Sequence, residues 1–152
     1  MANGIGWVVA IAIKPHHEEP MREIDSADVT EGAGFAGDVS GKGGWLGKRQ
    51  ITVISAEQWH EACAEVGVNL PWTARRANLL VQGLRFGPSD VGKCLRLGRL
   101  ILEITGETKP CGRMDLACPG LRAALTPDWR AGVTCRVLRS GHVRKNGPVI
   151  LE

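Results

Sequence analysis

The amino-acid sequence predicts a mainly β protein, a closed or half-closed β-barrel with one or two short helices. Short apolar stretches bounded by Gly, Pro, Asn or Asp recur along the chain, which is the pattern of β-strands. Glycine accounts for 20 of 152 residues, so many tight turns are expected. Only one segment carries helix signals at both ends. Closing so many short strands into a barrel removes the exposed sheet edges that invite aggregation.

Seven or eight strands are predicted. In chain order the candidates are residues 7–13, 22–29, 50–54, 78–82, 93–97, 100–106, 133–138 and 149–151. Residues 95–105 indicate a hairpin around Gly98, with Leu100, Leu102 and Ile104 on one face of its second strand.

One helix is marked by its caps. Ser55 can cap the amino end, with Gln58 three residues later, and Gly67 stands where a left-handed residue ends a helix. The apolar residues of one helix face are Trp59, Ala62, Cys63 and Val66. A shorter helical turn is expected over residues 120–125, before Pro127.

Length and composition exclude several classes of protein. At 152 residues, we expect a single domain spanning residues 1–152. The net charge of +3 is mild and the basic residues are scattered, so nucleic acid is not an expected partner. The apolar run at residues 6–13 is too short to cross a membrane and lacks the flanks of a secretory signal, so we expect a cytoplasmic protein. In that reducing compartment its five cysteines would be thiols.

Common catalytic and metal motifs are absent from the sequence. There is no His-x-x-x-His, no Cys-x-x-Cys, no Gly-x-Ser-x-Gly elbow, no Walker loop and no dinucleotide fingerprint. The candidate chemistry therefore lies in three loops.

The first loop runs from residue 32 through a glycine-rich stretch to Lys48 and Arg49. Four glycines between residues 41 and 47 leave backbone amides accessible, and the two cations favour an anionic group. A flexible surface turn would have the same composition.

The second loop precedes the strand at residues 78–82. If the strand alternation extends back to Arg76, that side chain and Asn78 share a face and could grip a phosphate or an amide edge, whereas Arg75 faces the other way. Arginines at a strand start are also often solvated or paired with acids.

The third loop, residues 108–114, holds Cys111 between proline and glycine, with Lys109 and Arg113 two residues away on either side. Neighbouring cations favour the thiolate, the form that attacks or binds metal. Cys63, Cys94 and Cys135 fit core positions. Cys118, in a loop before Pro119, is the one competing thiol.

Together the three loops resemble the MOSC domain, named for the carboxy-terminal domain of the molybdenum cofactor sulfurase, in its stand-alone bacterial form. The matching pieces, spread over residues 32–152, are Gly37-Asp38, Arg49-Gln50 with residues 51–57, Arg76-Ala77-Asn78-Leu79-Leu80 with Gly83-Leu84, Gly92 with Leu97-Gly98, Pro110-Cys111, and Gly132-Val133 with Arg136-Val137-Leu138 and Gly141. Where many relatives have a histidine shortly after Gly-Asp, this chain has Val39-Ser40, so no mechanism that needs that histidine carries over.

The resemblance implies a β-barrel that binds the molybdenum cofactor (molybdopterin), with Cys111 as the reactive cysteine and molybdenum ligand. It implies that Asp38 orients a basic residue or transfers a proton. The residues around the cofactor would be Lys48, Arg49, Arg76, Asn78 and Arg113.

Two activities share such a site: sulfur carriage or transfer, and reduction of N-hydroxylated compounds at a cysteine-bound molybdenum. The first calls for a sulfur donor and the second for an electron-transfer protein, because the sequence has no flavin, haem or iron–sulfur motif. The competing hypothesis is a non-catalytic module that binds an anionic metabolite or a partner protein.

Overall fold

The computed structural model describes residues 4–39, 41 and 47–152 of the chain. Within these residues, strands dominate. They are β1 (Gly4–Ile13), β2 (Arg22–Ile24), β3 (Ser26–Thr30), β4 (Gly34–Phe35), β5 (Ile51–Ser55), β6 (Leu79–Gln82), β7 (Cys94–Leu97), β8 (Leu100–Glu107), β9 (Val133–Arg139), β10 (Gly141–Arg144) and β11 (Pro148–Leu151). The α-helices are α1 (Ala56–Val66), α2 (Arg113–Ala117) and α3 (Leu121–Leu125). The predicted mainly β class is confirmed.

Seven strands form a closed barrel. They are hydrogen-bonded in the order β11, β7, β8, β9, β5, β6 and β1, and β11 pairs with β1 to complete the ring. The β5–β6 pair is parallel, and the other barrel pairs recorded for the described strands are antiparallel. β2 pairs with the carboxyl end of β1, and β10, β3 and β4 form a small second sheet.

The core has two layers, because the barrel strands β1, β5 and β6 are covered on both faces. Val53 of β5 faces the barrel interior, and the next residue, Ile54, contacts the helical layer outside it. Leu79 and Leu80 of β6 divide in the same way. Successive side chains of a strand point to opposite faces, so a continuous apolar run serves both layers.

The hairpin and the capped helix form as predicted. β7 and β8 pair around Gly98, which has a φ of 64°, and Leu100, Leu102 and Ile104 are buried. Ser55 Oγ accepts a hydrogen bond from the Gln58 backbone N–H at 3.3 Å, and Gly67 ends α1 with a φ of 72°.

Three local features of the structure differ from the sequence-based expectations. The segment 22–29 is two strands, since β2 ends before Asp25 and β3 pairs with β10 instead of β1. Strand β10, which begins at Gly141, is not among the strands that the sequence predicts. Helix α2 was not anticipated, and it begins two residues after Cys111.

No helix among the described residues is both long enough and apolar enough to cross a membrane.

Candidate functional site

Cys111 lies in a loop that is tied down at both ends. β8 leads into it, and the Thr108 backbone N–H donates to Gly132 O at 2.9 Å. At the other end, the Met114 N–H donates to Cys111 O at 3.0 Å, which closes the first turn leading into α2. The backbone of the loop is therefore fixed while the Cys111 side chain is exposed.

The other thiols differ from Cys111 in environment. Cys63, Cys118 and Cys135 are buried and Cys94 is half-buried. Burial raises the pKa values of Cys63, Cys94 and Cys135 above the usual thiol value, so these thiols stay neutral to higher pH. Cys118, the competing candidate, lies at the end of α2 with its sulfur 3.7 Å from Pro119 O. Cys111 is thus the one exposed thiol of the five.

Arg75 is a buried cation beside the Cys111 loop. Its side chain donates from Nη2 to Ala131 O at 2.6 Å and from Nη1 to Met114 Sδ at 3.5 Å, and the residue is only 5% exposed. Its Nε is buried and has no hydrogen-bond partner among the described residues. No carboxylate among the described residues pairs with it. Burial lowers the pKa of Arg75 to about 10; the charge of Arg49 adds to this lowering, and that of Cys111 opposes it. Arg49, Arg75 and Cys111 therefore share one electrostatic environment.

Thr108 provides a second buried donor without a partner. The residue is 1% exposed, and its hydroxyl makes no hydrogen bond within the part of the chain that the structure describes. Its backbone N–H contacts Gly132 O, while Arg75 contacts the preceding carbonyl, Ala131 O. Both residues are therefore held by consecutive peptide groups beneath the loop that carries Cys111.

Arg76 and Asn78 do not share an environment. β6 begins at Leu79, so strand alternation does not extend back to them; Arg76 is exposed and Asn78 is buried. The Asn78 side chain accepts from the Thr52 N–H at 3.1 Å and donates to Ala12 O at 3.2 Å. Its amide thus joins β5 to β1, and its backbone N–H donates to Thr52 O as well.

Asp38 is held against the end of β1. Its carboxylate accepts a hydrogen bond from the Lys14 backbone N–H at 2.7 Å, and its own N–H donates to Phe35 O. Among the hydrogen bonds of the described residues, none joins Asp38 to Cys111. The contacts seen for Asp38 are those of a residue that fixes the start of the glycine-rich loop.

Lys48, Arg49 and Arg113 are exposed cations. Thr105 Oγ1, on β8, donates to Lys48 O at 2.6 Å, which places the Lys48-Arg49 pair beside the strand that leads to Cys111. The buried Gln50 fixes the pair from the other side, because its side-chain amide bonds Glu31 O and the Val137 N–H. Residues 42–46, the centre of the predicted glycine-rich loop, lie outside the described residues.

Sequence reasoning missed Arg75. The relevant signal is weak: the Arg75 N–H donates to Trp72 O and closes a single 3-10 turn after Pro71, which directs Arg75 inward instead of Arg76. In the described part of the chain, no three His, Cys, Asp or Glu side chains group as a metal site.

The structure is thus a closed seven-stranded barrel whose one exposed thiol lies in a loop next to an exposed cation, Arg113. The family model for the MOSC domain matches residues 14–150, so the chain belongs to the MOSC domain family, which is associated with molybdenum cofactor binding.

Solved structures agree on the fold. The YuaD protein from Bacillus subtilis has a TM-score of 0.78 at 19% identity, covering 99% of this chain and 97% of that one. YiiM from Geobacillus stearothermophilus has a TM-score of 0.72 at 17% identity, covering 97% of this chain and 75% of that one. YiiM from Escherichia coli has a TM-score of 0.65 at 17% identity, covering 100% and 70%. No curated protein sequence matches significantly.

Proposed function

We propose that this protein binds a molybdenum cofactor and uses the Cys111 thiolate to carry sulfur to or from it. The observation that supports this most is the exposed thiol beside two guanidinium groups that lack a carboxylate partner among the described residues. The cofactor carries a phosphate, and Arg49, Arg75 and Thr108 offer donors that an anion can accept from. When bound, the cofactor supplies a molybdenum centre with affinity for soft thiolate donors. The residues present therefore fit the group.

Each predicted site residue has a role in this proposal. Cys111 is the reacting sulfur, and the exposed cations Lys48, Arg49, Arg76 and Arg113 attract the phosphate. Asn78 holds β5 and β1 in register behind the site, and Asp38 positions the segment that precedes the glycine-rich loop.

Sulfur loading needs only a donor with an S–S bond. The Cys111 thiolate attacks the terminal sulfur of the donor, a new Sγ–S bond forms, the donor S–S bond breaks, and the donor leaves as a thiolate or polysulfide anion. No net oxidant is required. Because Cys111 is exposed, a donor can reach it without opening the barrel.

Reduction of N-hydroxylated compounds would use the same thiolate and would also need electrons from a separate donor protein. A cytoplasmic location suits both activities, since it keeps the five cysteines reduced. A non-catalytic binding module would leave Cys111 unreactive.

The test is sulfur loading by the purified full-length protein. After incubation with sodium tetrasulfide and removal of excess reagent, cyanide should release about one sulfane sulfur per chain from wild type and from Cys94→Ser, and almost none from Cys111→Ser. Equal release from Cys111→Ser and wild type would contradict sulfur carriage at Cys111 and favour the binding module.

A further inference from the structure

We propose that the sulfur donor for Cys111 is an oxyanion with a sulfane sulfur, of the thiosulfate class, and that Arg49 and Arg75 recognise its sulfonate oxygens. This inference rests on the proposed function and names its substrate class. Three observations among the described residues lead to it: a buried guanidinium with an unpaired Nε, a buried hydroxyl with no partner, and an exposed guanidinium whose charge acts on the buried one.

Arg75 carries a buried charge with no counter-ion among the described residues. Burying a cation is costly unless an anion compensates it. The hydrogen-bond partners of Arg75 are one carbonyl and one thioether. The two acids nearest Cys111 in sequence, Glu107 and Asp115, do not form an ion pair with Arg75 among the described contacts. Of these, Asp115 accepts hydrogen bonds from the Gly120 and Arg122 N–H groups, and Glu107 makes no ion pair with either arginine among the described contacts. The missing anion is therefore expected from a ligand.

The expected place for that anion is beside the turn that carries Cys111. The Nη1 of Arg75 contacts Met114, whose backbone N–H is bonded to Cys111 O, so the guanidinium lies directly behind the turn that presents the thiol. Arg49 is exposed and shares the electrostatic environment of Arg75. We expect an anion at the Cys111 sulfur to interact with the exposed Arg49 guanidinium and with the charge of the buried Arg75.

The proposed reaction transfers the sulfane sulfur of thiosulfate to Cys111. The Cys111 thiolate attacks the sulfane sulfur of thiosulfate, the Cys111 Sγ–S bond forms and the S–S bond to the sulfonate breaks. Sulfite leaves with the electron pair of that bond, and the cysteine becomes a persulfide anion. Three negative charges enter and three leave, and no oxidant or reductant is consumed. Charge grows on the departing sulfite oxygens, where the two guanidinium groups stabilise it.

Arginine favours this donor class over simple persulfides. A guanidinium forms two parallel hydrogen bonds to a planar pair of anionic oxygens, which a sulfonate offers and a polysulfide lacks. The ratio of the loading rates from thiosulfate and from tetrasulfide therefore reports this recognition separately from thiol reactivity.

The experiment measures both loading rates by cyanide release and by the mass of the intact chain. Wild type should load from both donors. Arg49→Gln should lower the thiosulfate-to-tetrasulfide ratio about tenfold or more, the size expected for a lost charge-assisted hydrogen bond. Arg75→Met should lower the ratio as well, and Arg75→Lys, which keeps the charge but loses the fork of donors, should lower it less. Arg99→Gln, an exposed cation at the opposite end of β8, is the matched control and should match wild type.

The outcomes separate the donor inference from the proposed function. Loading from tetrasulfide but not from thiosulfate in wild type overturns the donor inference and leaves sulfur carriage standing. Loading from neither donor contradicts both. If Arg75→Met fails to fold, Arg49→Gln carries the test, and a ratio for Arg49→Gln within twofold of that for Arg99→Gln would overturn the inference.

Discussion

At Arg75, folding places a guanidinium inside the protein with a backbone carbonyl and a thioether as its partners. Such an arrangement costs stability, because burial disfavours the charged form, as the lowered pKa of about 10 reflects. Below that pH the residue is charged and the cost is present; it is relieved only as the pH rises above about 10. Binding of the proposed anion would offset this cost near neutral pH. Residues that weaken a fold in this way concentrate at functional sites.

Thiol reactivity is predicted at the same scale. Iodoacetamide at pH 7.5 should alkylate Cys111 well before the other four cysteines, because Cys111 is exposed while burial holds the pKa values of Cys63, Cys94 and Cys135 above the usual range. Raising the pH to about 10 should bring in the half-buried Cys94 next, as its thiolate fraction grows. Peptide mass mapping over time gives the order of labelling. Faster labelling of Cys94 than of Cys111 at pH 7.5 would refute the assignment.

The strands depend on a few polar side chains, and Asn78 is the clearest. Replacing Asn78 by Ala should lower the free energy of unfolding by about 2–4 kcal/mol, because it leaves the buried Thr52 N–H and Ala12 carbonyl without their partner. Urea unfolding followed by tryptophan fluorescence measures this. Arg76→Ala, two residues away and exposed, should change stability by less than about 0.5 kcal/mol. Equal, small effects of both substitutions would mean that the Asn78 amide does not hold the strands.

The segment 131–132 that supports Arg75 and Thr108 depends on a glycine. Gly132 has a φ of 103°, and a Cβ there would collide with Val53 O and come within 2.6 Å of Ile54 Cγ2. We expect Gly132→Ala to cost about 3 kcal/mol or more, adding a backbone clash to the usual left-handed strain of 1–2 kcal/mol.

Gly98 provides the matched control for Gly132. It also has a positive φ, but the space around it is open, so Gly98→Ala should show the strain alone. Thermal unfolding of both variants makes the comparison. If Gly132→Ala were as stable as Gly98→Ala, the backbone at residues 131–132 would be able to relax. The conclusion that this backbone holds Arg75 in a fixed position would then be incorrect.

Elements with strong local signals were predictable, and those defined by distant partners were not. The Gly98 hairpin and the Ser55-to-Gly67 helix follow from turn and cap residues close in sequence. β4 has two residues and exists because β3 is beside it, and β10 begins at a glycine that pairs with Val29, more than a hundred residues away. Local composition does not record such pairings.

For the whole molecule, the barrel brings three remote segments together. Arg75 contacts Ala131, 56 residues further along, and Met114, 39 residues further along. The sequence predicted that Cys111 and the Lys48-Arg49 pair lie in loops, because proline, glycine and clustered cations mark a loop. The choice between Arg75 and Arg76 depends on a single 3-10 turn, and the convergence on Ala131 depends on barrel closure; neither has a local sequence signal.

The most direct test of the account is the molybdenum and sulfane-sulfur content of protein purified without oxygen from a cofactor-competent host. We predict about one molybdenum per chain in wild type and in Cys94→Ser, and a loss of about tenfold or more of both molybdenum and sulfane sulfur in Cys111→Ser with unchanged circular dichroism. A folded Cys111→Ser protein that retains as much of both as wild type would contradict the role assigned to Cys111.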